Sequence, residues 1–435
     1  LQASVNPTVD PTVTTTTLDN GLRVTTVELP HLHTATAALF VKVGARFETP
    51  ADNGLSHFVE HMLFRGTGRY PTSLALNTAI EELGSTLHAE TGRDYTLFQV
   101  GLPADSIGAG LDLLGELLTR PRFDDLELER ALVLEEINED YDEDDIEINA
   151  DDIARGLMFD DHPLGQRIIG PRTNVERFSD ADVRRHFARF YGARNATLCV
   201  AGPLDPGEVV RSARKALGDL PAGESAAPVP APPPRDKPLL RHVRDSGSQT
   251  SLSILLRGIP ELDPRYLAFV ALVRLLDDGM STRLHYQLCD QKGLAYSINA
   301  GIEPLADVAV LDIAGATANG KVPELVRELL RLLDGLRNGE IADRELAKVR
   351  TRYRYETLAS VDDASAMAGW FGGTALYYQP PGLSQRLTQM EAVTIADVRG
   401  AAAEVLRPER LCLAAVGALT RARLAELRDV VNGWG

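Results

Sequence analysis

NGLSHFVEHMLFRGT, residues 53–67, decides how the rest of the chain is read. Leu55, Phe58, Val59, Met62 and Leu63 fall at i, i+3, i+4, i+7 and i+8, one apolar stripe of an α-helix. His57, Glu60, His61 and Phe64 fall at i, i+3, i+4 and i+7, a second stripe on nearly the opposite side. A solvated face of this length ordinarily carries Lys, Arg or Gln. This one carries two imidazoles and a carboxylate. Histidines four residues apart project the same way, with Cβ atoms about 5–6 Å from one another.

That spacing lets both imidazoles bind one Zn²⁺ at ~2.0–2.1 Å, with Glu60 near enough to a water at the ion to take its proton. A catalytic zinc keeps three protein ligands and leaves one position for water, so a third ligand is expected elsewhere. LELERALVLEEINEDYDEDD, residues 126–145, supplies many acids. At ~100° per residue, Leu126, Leu128, Leu132, Val133 and Ile137 define the apolar face of a helix over 126–139. Glu129 and Glu136, two turns apart, fall near the middle of that face, and Glu135 and Glu139 towards its edge or off it. Inward carboxylates are costly unless paired or bound to metal, which singles out Glu136 and Glu129.

Outward from these segments, Leu22–Val27 and Thr36–Val43 alternate with period two and predict strands. Ala79–Gly84 and Ile107–Leu118 carry helical spacing. The Pro/Thr-rich opening, Asn6 to Thr17, reads as a loose arm before the first strand. PAGESAAPVPAPPPRDKP, residues 221–238, is too proline-dense for a helix or a central strand and reads as a linker. The chain on either side looks duplicated. SDADVRRHFARFYGARNATLCVAGPL (residues 179–204) and TIADVRGAAAEVLRPERLCLAAVGAL (residues 394–419) are both a helix followed by an apolar strand. Asp182-Val183 matches Asp397-Val398, Gly202 matches Gly417 and Leu204 matches Leu419, all offset by 215. The predicted class is α+β: two homologous halves, residues 1–220 and 239–435, each an antiparallel-rich sheet packed with helices.

The 435 residues exceed one ordinary core, and 44% apolar and 25% charged residues are close to globular averages. No apolar run approaches the ~20 residues of a membrane span. A net charge of −17 argues against nucleic acid as a partner. Cys199, Cys289 and Cys412 lie far apart, form no CxxC pair and read as reduced thiols. No basic stretch followed by an apolar run is visible near Leu1, so the compartment is undetermined, with a bacterial cytoplasm slightly favoured over the periplasm.

With these residues in view, the chain resembles the pitrilysin family of zinc peptidases, whose HxxEH signature reverses the HExxH order. HFVEHMLFRGT (57–67), ERALVLEEI (129–137), DHPLGQRIIG (161–170) and KGLAYSI (292–298) follow the family pattern in order along essentially the whole chain. The resemblance implies Glu136 as the third ligand and Glu129 as the carboxylate that orients the site. It implies hydrolysis of peptides or unfolded polypeptides with Glu60 as the base, and a substrate that adds as a strand along Leu87–Thr91, contacting His88, Ala89 and Thr91. His88 stands where the family usually has Asn.

The segment offset by 215 from the histidines is Leu272–Leu276, LVRLL, so one zinc per chain is expected. The family's second half usually offers an Arg and, seven residues later, a Tyr against the substrate carbonyl. Tyr296 is present, but Cys289 occupies the Arg position and supplies no guanidinium fork. The expectation is therefore a heterodimer with a homologous subunit that keeps Arg and Tyr, with a homodimer as runner-up. The alternative to an enzyme is a non-catalytic structural subunit, as relatives in respiratory complexes have become.

Overall fold

The computed structural model describes residues 10–435. The two period-two segments of the first half become strands of a six-stranded sheet. Its strands are β1 (Thr12–Thr17), β2 (Arg23–Glu28), β3 (Thr34–Val41), β4 (Leu87–Thr91), β5 (Thr96–Pro103) and β6 (Ala196–Gly202). They lie in the order β1-β2-β6-β3-β5-β4. Only β2 and β6 run parallel; every other pair is antiparallel. β3 is buried from Ala35 to Val41, as a central strand covered on both faces must be. β4 is an edge. β1 falls inside the segment expected to be a loose arm; its Thr side chains suit a strand, and six residues pair in register with β2. Residues 6–9 of that arm lie outside the described residues.

The second sheet is built from β7 (Leu239–Val243), β8 (Gln249–Arg257), β9 (Ile298–Pro304), β10 (Ala309–Ala318) and β11 (Leu411–Val416). Its order, β7-β11-β8-β10-β9, repeats β2-β6-β3-β5-β4, including a parallel pair made by the last strand of each set. The helices before β6 and β11, Asp180–Phe190 and Ile395–Val405, begin with the same capping box. Ser179 and Asp182 bond each other's backbone N–H in one, Thr394 and Asp397 in the other. The sequence offset is thus matched by strand order and cap chemistry together.

The compact units exchange segments relative to the sequence halves. The first takes the chain through Ile137, Arg167–Val229 and, from the second half, Glu356–Arg386. The second takes Asn138–Gln166 from the first half, with Pro230–Tyr355 and Leu387–Gly435. Within the first unit, the Ser365 hydroxyl accepts from Gln99 at 2.8 Å, Thr197 donates to the Gly372 carbonyl at 3.2 Å, and Tyr377 donates to the Asp94 carbonyl. A Cβ on Gly372 would meet Cys199 at 2.6 Å and the Phe40 ring at 2.8 Å, so only glycine lets this segment lie against β3 and β6. In the second unit, Ile153, Ala154, Met158 and Phe159 pack with Leu255, Val310, Cys412 and Ala414.

Residues 221–238 form neither helix nor strand but are pinned along their length. Pro221 and Ala222 carbonyls accept from Ala193 and Arg194, and the buried Arg46 guanidinium donates to the Val229 carbonyl at 2.7 Å. Further on, Ala231 N–H donates to Asp307 and Arg257 donates to the Pro232 carbonyl, each at 2.8 Å.

Candidate metal centre

The histidines sit on α1 (Leu55–Leu63), with Leu55, Phe58, Val59, Met62 and Leu63 buried beneath it. α1 has no capping side chain of its own: Gly54 precedes it at φ 97, and a Cβ there would meet the Ile169 carbonyl oxygen at 2.5 Å. The exposed amides are answered by Glu48, buried in the loop before the helix. Its Oε2 accepts from Gly54 N–H at 2.9 Å and Asn53 Nδ2 at 3.0 Å, and its Oε1 accepts from Ser56 N–H at 2.6 Å. A carboxylate at a helix N-terminus also faces the positive end of the backbone dipole. Asn53 reaches the Arg167 carbonyl, Asn174 reaches the Asn53 carbonyl, and Ser56 Oγ lies 3.1 Å from His186 Nε2. The segment around Gly170, whose pattern stood out in the sequence, thus acts as a wall against which α1 begins.

The helix α2 (Ser73–Glu81) is capped by Thr72 and flanks the site. It is the observed form of the helical spacing over Ala79–Gly84, starting earlier and ending at Glu81. α3 (Ile107–Thr119) packs on the sheet, and α4 (Leu126–Asn138) follows it. α4 corrects the sequence reading in one respect. Its buried stripe is the narrow series Glu129, Val133 and Ile137, whereas Leu128 and Leu132 are 53% and 50% exposed. Glu129 is the inward carboxylate, 5% exposed; Glu136 is on the open side of α4. The helix wheel had spread the apolar face over both leucines because it counted hydrophobic residues without the geometry of the neighbouring elements.

His57, His61 and Glu136 meet, their potential ligand atoms all within 4.8 Å of one another. His57 Nε2 is 3.7 Å from Glu136 Oε1, and His61 Nε2 is 3.7 Å from Glu136 Oε2. The ring centroids are 4.5 Å apart. His61 Nδ1 is engaged by Glu129 Oε1 at 2.8 Å, which leaves Nε2 as the ligand atom. Glu129 Oε2 bonds the Arg65 guanidinium, so the buried carboxylate is neutralised from the far side. Two imidazole nitrogens and a carboxylate oxygen at this separation fit the donor set of a catalytic zinc. Among the described residues this is the one such group of three.

The electrostatics suit metal binding. Burial, then the neighbouring His61, holds His57 down to about 3, so its ring is neutral and its Nε2 lone pair available. Burial pulls His61 the same way, but the Glu129 hydrogen bond and the charges of Glu129, Glu60 and Glu136 outweigh it and raise the ring. Glu60 lies on the same face of α1; burial pushes its carboxyl up against the opposing pull of a hydrogen bond from Thr91. A cavity of about 400 Å³ opens beside it, lined by Glu60, His61, Phe64, Arg65, Ser73 and Glu129.

Other sequence-predicted residues lie as follows. His88 is exposed and 4.0 Å from Glu90, Ala89 is half-buried, and Thr91 is buried with its hydroxyl on Glu60. Tyr296, in the second unit, is 95% exposed. Cys289 lies in a π-helical turn, Leu284–Gln291, and burial, then Asp290, pushes its thiol up. Lys292 is held by Glu328 at 3.3 Å. Leu272–Leu276 is the end of an apolar helix, with Leu272, Val273, Leu275 and Leu276 buried. Sequence reasoning missed Arg65 and Glu48. Arg65 had a signal, continuing the His57–His61 series by four more positions; Glu48 had none, since nothing in its spacing points to the start of α1.

Comparison with known proteins gives a consistent family. Residues 23–172 match the profile described as Insulinase (Peptidase family M16), and residues 177–353 match the profile of the peptidase M16 inactive domain. The chain is 29% identical over 429 residues to an uncharacterized zinc protease of Streptomyces coelicolor, covering 97% of this chain and 93% of that one. It is 28% identical over 379 residues to the mitochondrial-processing peptidase subunit beta of Saccharomyces cerevisiae, covering 82% and 80%. The fold is similar to that of a protease from Helicobacter pylori, with a TM-score of 0.85 at 21% identity, covering 94% of this chain and all of that one. It is also similar to a chain of Complex III2 from Candida albicans, with a TM-score of 0.80 at 17% identity, covering 96% and 100%.

Proposed function

The chain belongs to peptidase family M16, and from that premise we propose that it is a zinc endopeptidase acting on peptides or unfolded polypeptides. The observation that carries the proposal is the convergence of His57, His61 and Glu136 beside Glu60. One zinc per chain would be held by Nε2 of both histidines and by the Glu136 carboxylate, and when bound supplies Lewis acidity to the scissile carbonyl and to the attacking water. Glu60 takes that water's proton and passes it to the leaving amine. Its buried setting raises its proton affinity, as this double duty needs. Glu129 keeps His61 in the tautomer that offers Nε2, and Arg65 keeps Glu129 ionised. The substrate backbone pairs along the open edge of β4, past His88 and Ala89 towards Thr91. Tyr296 is the proposed donor to the oxyanion.

Glu60→Gln is expected to keep zinc while losing about 10²–10⁴-fold in rate. Glu136→Gln loses the metal itself. Metal analysis and cleavage of an unstructured peptide test both, and equal zinc loss in the two proteins would reverse the assignment.

Cys289 supports a proposal about partners. It offers no guanidinium, and the nearby Lys292 is occupied by Glu328. We propose a heterodimer with a homologous subunit that provides the missing Arg. Cys289→Arg should then raise turnover of the lone chain; a lone chain that is already fully active and gains nothing argues for a self-sufficient homodimer.

A further inference from the structure

Glu60 has a single hydrogen-bond partner among the described residues: Thr91 Oγ1, 2.5 Å from its Oε2. Thr91 is buried at the last position of β4, directly opposite Thr96 of β5 in the antiparallel register. The two hydroxyl oxygens are 3.3 Å apart, and Thr96 donates its proton to the Val43 carbonyl at 3.2 Å. The Thr91 proton goes to the Glu60 carboxylate at 2.5 Å, the shorter contact and the stronger acceptor, and not to the Thr96 oxygen at 3.3 Å. A β-branched side chain has few χ1 options, so the ladder that fixes the Thr91 backbone also fixes where its hydroxyl points.

We propose that Thr91 is a positioning residue for the reaction, holding the Glu60 carboxylate in the one orientation from which it serves the attacking water. The inference rests on the reading of Glu60 as the base. It gives β4 two tasks: its open edge receives the substrate backbone while its terminal side chain aims the base. Occupation of the strand and readiness of the base are thereby tied through one residue.

The test uses the full zinc-loaded chain and a fluorogenic unstructured peptide. Thr91→Val removes the hydroxyl and keeps the shape. It should lower kcat about 10- to 100-fold, the range for a hydrogen bond to a charged group, with KM within about threefold and zinc content unchanged. Thr91→Ser restores the hydroxyl and should recover kcat to within about threefold of the parent. Thr91→Ala, which places no methyl against Thr96, reads the same loss if the valine protein is insoluble. A hydroxyl-free protein with kcat within about twofold of the parent, or a serine protein as slow as the valine one, overturns the proposal. So does loss of zinc, which would move the role of Thr91 to the metal centre. Glu60→Gln is run alongside. If it retains turnover, the reading of Glu60 fails; if it is dead while Thr91→Val is normal, the role of Thr91 alone fails.

Discussion

His186 shows how much a single buried side chain sets the conditions under which α1 stands. It is 5% exposed, packs against the Phe190 ring at 4.8 Å in a tilted arrangement and meets Ser56 Oγ at the start of the helix. Burial, then Arg189 and Arg185, holds it down to about 3, whereas an unfolded chain titrates near 6.5. The unfolded state therefore takes the proton first. The stability His186 confers is complete above about pH 6.5 and is lost as pH falls towards about 3, at up to ~1.4 kcal/mol per pH unit. Urea unfolding of metal-free protein between pH 4.5 and 6.5 should show a slope of this sign, to which His57, held equally low, also contributes, and His186→Gln should reduce it by up to ~1.4 kcal/mol per pH unit. An unchanged slope assigns the acid sensitivity elsewhere. At this scale the sequence was informative where chemistry and periodicity coincide. His57, Glu60 and His61 were legible because two stripes of one helix differ in kind. Glu129 and Glu136 were legible as a pair, but their depths were not, since depth depends on what packs against α4 and not on α4 itself.

At the scale of elements, the helix that carries His57 and His61 depends on a residue outside it. Glu48→Ala would leave the Gly54 and Ser56 amides without their acceptor in a closed interior, and would strip the Asn53 side-chain amide of one of its two acceptors, the Arg167 carbonyl remaining. A buried unmet donor costs about 1–3 kcal/mol, and some relaxation is expected, so a loss of about 2–4 kcal/mol is predicted from urea midpoints. Glu48→Ala at parental stability would mean that the amides find water. The pattern of apolar residues foretold β2, β3, α1 and α3 with boundaries shifted by a few positions, since cap residues and pairing partners fix the ends. β1 was hidden for a different reason: TVTTTT has no apolar alternation, and its strand state comes from the β2 edge beside it.

Across the molecule, the duplication was readable from a constant offset, but the exchange of segments was not, because no local pattern says which sheet a helix will cover. The exchange alters what a cut in residues 221–238 should do. A break between Val229 and Pro230 leaves each piece without part of a unit: the first lacks Glu356–Arg386, the second lacks Asn138–Gln166. The nicked halves should therefore stay associated through gel filtration and separate only in denaturant. The first piece expressed alone should lack a cooperative melting transition and show almost no cleavage of long peptides. A separately folded, active first piece would contradict this account. Arg155 of the donated helix (Ala150–Phe159) adds a reason for the second unit to hold on: it is buried and paired with Asp151, Glu303 and Asp312.

The same donated segment sets a schedule for synthesis. All six strands of the first sheet have been made once Gly202 leaves the ribosome, yet the cover over Phe40 and Cys199 arrives with Gly372 and Gly373. At about 5–20 residues per second, the intervening stretch takes on the order of 10–30 s to translate. For that interval the nascent sheet carries an apolar surface with its natural lid still unwritten, a window in which holding chaperones have something specific to bind.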